Sequence, residues 1–113
     1  MHTVIETPAY LRAADRAGLG ESERDAIATM IAENPAVGET IPGTGGCRKV
    51  RVAGRGKGRS GGYRVITFIS GADVPVFLLT VFSKGERADL SGGERNALKK
   101  LTGTLVHSLG RKA

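Results

Sequence analysis

Three runs in the middle of the chain, RKVRVA, YRVITFIS and VPVFLLTVF, are rich in Val, Ile, Thr and Phe and are separated by glycine-containing turns. Val, Ile, Thr and Phe at a period near two fit a pleated, half-buried surface, so each run predicts a strand. Connections this short cannot return a strand in parallel, so the three form an antiparallel meander.

Upstream the period changes to about 3.6. TVIE is short and alternating and suits a first strand. TPAYLRAADRAG follows as a short helix, with Thr7 as N-cap, Pro8 at its first position and Gly18 as terminator. GESERDAIATMIAENP predicts a second helix. Ser22 and Asp25 make a start resembling a capping box, Ala26, Ile27, Met30 and Ile31 form the apolar face, and Asn34-Pro35 is the stop. The two helices read as an αα-hairpin. AVGETIPGTGG reads as a turn-rich passage. A closing helix starts from a capping box at Ser91 and Glu94, with an apolar stripe at Leu98, Leu101, Leu105 and Leu109. The prediction is an α+β fold: a small antiparallel sheet, an N-terminal αα-hairpin and a C-terminal helix, with the helices on one sheet face. At 113 residues and 40% hydrophobic content the chain supports one core, so residues 1–113 form a single domain.

Charge narrows the function. Residues 1–39 carry seven acids and three bases, and residues 40–113 carry four acids and fourteen bases, dividing the net +6 into −4 and +10. No acid lies between Glu39 and Asp73. Seven cations fall within residues 48–64, a field suited to a polyanion, and nucleic acid fits better than a membrane because no basic amphipathic helix accompanies it. The longest apolar run, Val74 to Phe82, is far short of the roughly 20 residues of a membrane span. MHTVIETPAY has no cationic start or apolar signal core, so a cytoplasmic location is expected. The single Cys47 excludes an internal disulfide and a multi-cysteine metal site.

The string GKGRSG, residues 56–61, has the letters of a dinucleotide fingerprint, but a strand follows it where that motif opens a helix. Lys57 is followed by Gly58, so a Walker loop fails too. The plainer reading gives Arg48, Arg55, Lys57 and Arg59 to phosphate neutralisation on a glycine-rich backbone, against the alternative of a merely solvated loop. Strand alternation adds geometry: Lys49 and Arg51 share one face, and Arg64 and Lys84 can converge with them. RNA supplies its own nucleophile, the 2′-hydroxyl, so such a cluster could bind the phosphate and stabilise the phosphorane. A lysine crowded by cations can give up its proton, making Lys49 a candidate base or shuttle. His2 and His107 stand at the ends of the chain, Cys47 has no evident His or Asp partner, and Glu86 and Asp89 read as partners of Lys84 and Arg87. Neither metal nor cofactor is expected.

NPAVGETIPGTGGCRKVRVAGRGKGRSGGYRVITF, with FLLTVFSKGERADLS after it, resembles the RelE superfamily of toxins from bacterial type II toxin–antitoxin modules, closest to its HigB-like branch. The resemblance covers nearly the whole chain and implies the RelE-like toxin fold. It further implies a cytoplasmic, metal-independent endoribonuclease that cuts mRNA on the ribosome and is neutralised by an antitoxin. That partner is expected to be of helix-turn-helix type, with DNA reached only through it. By similarity, Lys49, Arg51, Arg64 and Lys84 fall at catalytic basic positions of the family. The best-known RelE-type enzymes also carry an arginine after that lysine and a tyrosine near the start of the last helix. Here Gly85 and ADLSGG stand in those places, Arg87 is a candidate substitute for the arginine, and the tyrosine role is unassigned. The alternative is a toxin of the same fold that blocks the ribosome, gyrase or another nucleic-acid machine without cleavage.

Overall fold

The structure, a computed structural model, describes residues 2–53, 62–71, 73–85 and 89–110, without the side chains of residues 109 and 110. In chain order the elements are β1 (Val4–Glu6), α1 (Pro8–Arg16), α2 (Glu21–Glu33), β2 (Glu39–Thr40), β3 (Arg48–Val52), β4 (Tyr63–Phe68), β5 (Val76–Ser83) and α3 (Gly92–Gly110). The five described strands form one sheet in the order β1-β5-β4-β3-β2.

The expected meander is present, with β3, β4 and β5 antiparallel in sequence. The sheet is nevertheless mixed. β1 pairs parallel with β5, Val4 opposite Val76 and Glu6 opposite Leu78. The connection from β1 to β5 runs through α1, α2 and the three antiparallel strands β2 to β4, well beyond the length that a parallel neighbour requires. Thr7 fastens this junction twice: its hydroxyl donates to Leu78 O at 2.8 Å and accepts from Tyr10 N–H at 3.1 Å, which caps α1 as expected. The passage read as turns contributes a further strand, β2, two residues long and paired with β3. α2 starts at Glu21, one residue before Ser22. Gly20 is its N-cap, and its N–H donates to Glu23 Oε1 at 2.9 Å, so Ser22 and Asp25 do not form the cap.

The helices lie on both faces of the sheet. Val50, Val65, Val76, Leu78 and Val81 point to one side, where they pack with Tyr10, Ala13 and Ala14 of α1 and Ile27 and Ile31 of α2. Ile66, Phe68, Leu79 and Phe82 point to the other, packing with Leu90 and with Leu98 and Leu105 of α3. An irregularity at Ile66/Thr67 changes the parity of β5 relative to β4, letting Leu78 and Val81, three residues apart, serve one core and Leu79 and Phe82 the other. A single-face arrangement would leave one of these apolar rows in water, at about 1.5–3 kcal/mol per large side chain. On α3 the stripe differs from the expected one. Leu98 is buried, but Leu101 is 40% exposed and Thr102 takes the inner position, its hydroxyl donating to Thr44 O at 2.9 Å. Leu109 is outside the described side chains. The capping box at Ser91 and Glu94 is complete, with Ser91 N–H to Glu94 Oε1 at 2.8 Å and Glu94 N–H to Ser91 Oγ at 3.1 Å.

Candidate nucleic-acid site

The sheet register gathers three of the sequence-assigned cations on the α3 face. Lys49 is opposite Ile66 of the α3-side core, and Arg51 is opposite Arg64, which is itself opposite Phe82 of the same core. Lys49, Arg51 and Arg64 line one cleft of about 380 Å³ together with Val37, Gly38, Glu39 and Val50. Arg64 is only 7% exposed, so it is held by packing, and its Nη1 reaches Tyr63 O at 3.4 Å. Arg51 is exposed. Two guanidinium residues directly opposed across a strand pair repel one another, and an anion bound between them relieves that repulsion.

Lys49 is pinned rather than free. Its Nζ lies 3.4 Å from Asp89 Oδ1, and Asp89 Oδ2 accepts from Arg95 Nη2 at 3.2 Å. Asp89 is in turn fixed by its neighbour: Leu90 N–H donates to Oδ1 at 2.7 Å and the Leu90 side chain is buried under the sheet. The Leu90 hydrogen bond, with Lys49 and Arg95 adding to it, holds the Asp89 carboxyl below its ordinary value of 3.8 against a partial desolvation. Sequence reasoning looked to Lys84 and Arg87 as the partners of Glu86 and Asp89, and of these Arg87 lies outside the described residues. The signal that could have found Lys49 was its face: Asp89 precedes the helix that covers that side of the sheet.

The other assignments fare differently. Arg48 alternates to the face opposite Lys49 and donates from Nη1 to Gly38 O at 3.1 Å, so it fastens β2 instead of lining the cleft. Lys84 lies one residue past β5, its N–H bonded to Gly62 O at 3.1 Å, and it is exposed and not among the described residues lining the cleft. Arg55, Lys57, Arg59 and Arg87 lie outside the described residues, as does Glu86.

Neither tyrosine is on the cationic face. Tyr10 is fully buried in the core between sheet and α1, where burial, with the Glu6 carboxylate adding to it, raises its pKa to about 12. Tyr63 packs against that same core. Cys47 is fully buried, its backbone N–H bonded to Thr44 Oγ1 at 3.0 Å, and burial pushes its thiol up, which suits packing and not nucleophilic attack. His107 is exposed late on α3, and His2 is joined through its N–H to Ala32 O at 3.0 Å; neither lines the cleft. Among the described residues no group of three His, Cys, Asp or Glu is placed to hold a metal ion, and no helix is long and apolar enough to cross a membrane.

The chain is similar in structure to a mutant of the E. coli toxin RelE in the free state. That similarity has a TM-score of 0.48 and 22% sequence identity and covers 72% of this chain and 81% of that one. In sequence, residues 14–112 match the family described as the RelE toxin of the RelE/RelB toxin–antitoxin system. A match over that span takes in every strand from β2 to β5, α2 and α3, and with them the cleft cations Lys49, Arg51 and Arg64. The chain belongs to the RelE toxin family.

Proposed function

We propose that this toxin is a ribosome-dependent mRNA endonuclease, acting in the cytoplasm and silenced by a cognate antitoxin that covers its cationic cleft. The observation that carries the reading is the placement of Arg51 directly opposite Arg64, beside Lys49, on a rigid strand platform. Three cations held on strands can grip a phosphodiester and stabilise the added charge of a pentacovalent phosphorus, and the attacking group is the RNA's own 2′-hydroxyl. The sequence motif allies the chain with the HigB-like branch. A helix-turn-helix antitoxin fits that branch, and such a partner would account for contact with DNA.

The test is single-turnover cleavage of ribosome-bound mRNA at saturating ribosome concentration. Lys49→Ala and Arg51→Ala should each slow cleavage by on the order of 10² to 10³, the scale of removing one transition-state charge stabiliser, with most ribosome binding retained. Mutants that cut at the wild-type rate once saturated would make the platform a binding surface only.

One observation favours a second reading, inhibition without cleavage: both tyrosines face away from the cleft, so the family tyrosine has no tyrosine substitute. Mapping 5′ ends of cellular mRNA after a short pulse of expression separates the two. In-frame cuts support the nuclease, and arrested translation with intact messages supports the blocker.

A further inference from the structure

The cleft has cations for the phosphate, but the groups considered so far leave no proton acceptor. Lys49 is held as an ion-pair partner, both Asp89 oxygens are engaged, the tyrosines face the other core and Cys47 is buried. One carboxylate lines the cleft with its oxygens uncommitted. Glu39 is the cross-strand partner of Lys49, lines the same space as Lys49, Arg51 and Arg64, and makes no ion pair among the described residues because Lys49 turns to Asp89 instead.

Its strand is short but well anchored. Gly38 adopts φ +97°, and a Cβ there would come within 2.5 Å of Lys49 O, so β2 approaches β3 more closely than a side chain would permit. Arg48 Nη1 holds the Gly38 carbonyl at 3.1 Å on one side of Glu39, and Ile41 N–H bonds Cys47 O at 2.8 Å on the other. Glu39 is itself exposed, and on a free loop it would have no fixed relation to the cations. Here it is placed by backbone on both sides.

We propose that Glu39 is the general base of the cleavage reaction, an inference that rests on the nuclease reading above. The Glu39 carboxylate takes the proton as the ribose 2′ O–H bond breaks, and the O2′ electron pair forms a bond to the adjacent phosphorus, whose added charge Arg51 and Arg64 neutralise. The P–O5′ bond then breaks with its electron pair on O5′. That oxygen takes up a proton delivered through solvent, and Glu39 returns its own to solvent. The products are a 2′,3′-cyclic phosphate and a 5′-hydroxyl, with no change of oxidation state. Among the described residues, the charged groups facing Glu39 are Lys49 and Arg51 from β3 and Arg64 from β4, with Asp89 behind Lys49 on the connection to α3.

Glu39→Gln keeps the shape and removes the proton acceptor. In single-turnover cleavage of ribosome-bound mRNA it should cut on the order of 10²-fold more slowly than wild type, the low end of general-base contributions. Ribosome binding should stay within about twofold, since no phosphate contact is lost. The acid limb of the wild-type pH–rate profile should vanish in this variant, and added formate should restore part of the rate in Glu39→Ala. Glu39→Gln cutting at the wild-type rate, or cutting slowly with an unchanged pH profile and no rescue by formate, would overturn the assignment while leaving the nuclease reading intact. Wild-type protein that binds ribosomes and cuts nothing would overturn both.

Discussion

Asp89 accepts from three donors at once, the Leu90 amide, Lys49 and Arg95, and each favours its ionised form. Its folded pKa lies below the unfolded value of 3.8, so the clamp is complete above that pH and is lost only as pH falls through the lower folded value. At neutral pH Asp89 is therefore ionised and available to hold Lys49. Asp89→Asn should free the lysine and slow cleavage by about 10- to 100-fold, the scale of a small misplacement of a reacting group, and should add nothing when Lys49 is already alanine. Equal effects in both backgrounds would show that Asp89 supports the fold and not Lys49. Tyr10 has the opposite sign. Its pKa rises from 10 to about 12 and its hydroxyl has no hydrogen-bond partner among the described residues, so the neutral phenol favours the fold below pH 10 and that contribution is lost as pH climbs toward 12. Tyr10→Phe should remove this alkaline limb of unfolding and, because no bond is broken, change stability near neutral pH by less than about 1 kcal/mol. Chemical denaturation at pH 8 and pH 11 checks both parts.

At the level of elements, alternation made the site readable: Lys49, Arg51 and Arg64 share a face because strands have a period of two, and the register confirms their meeting. The same rule removes Arg48 from the group, since an adjacent residue must point the other way. β2 was not legible because two residues, Glu39 and Thr40, carry no apolar alternation; they are a strand only by virtue of pairing with β3. That hid Glu39 as well. Thr102 displaced Leu101 from the inner face of α3 because its hydroxyl satisfies the buried Thr44 carbonyl, a partner 58 residues away that no helical periodicity encodes. Thr102→Val should leave that carbonyl with only the weak Cys47 thiol donor, Sγ at 3.8 Å, and cost about 1–3 kcal/mol in thermal or denaturant unfolding. The two-sided placement of helices was hidden for a related reason. Each of the strands β4 and β5 feeds both cores, so its sequence reads as a nearly continuous apolar run with no exposed side.

Across the whole molecule the charge is divided as the fold is. The acid-rich first 39 residues supply α1 and α2 on one face, and the cleft cations open on the other. RNA approaching the basic side displaces counterions, so affinity for ribosomes carrying mRNA should fall as salt rises, and Arg51→Ala should flatten the log–log slope by about 0.7 to 0.9. Binding assays between 50 and 300 mM salt measure this, and an unchanged slope would place Arg51 outside the phosphate contact. The parallel pairing of β1 with β5 has a consequence in time. Thr7 is held by the Leu78 carbonyl, 71 residues downstream, and Asp89, which fixes Lys49, comes later still. During synthesis the chain emerges from its N-terminus, so the sheet cannot close, nor the lysine be seated, until most of the domain has left the exit tunnel. A protein whose proposed target is the ribosome thus has its cationic site unassembled until Leu78 and Asp89 have left the ribosome that makes it.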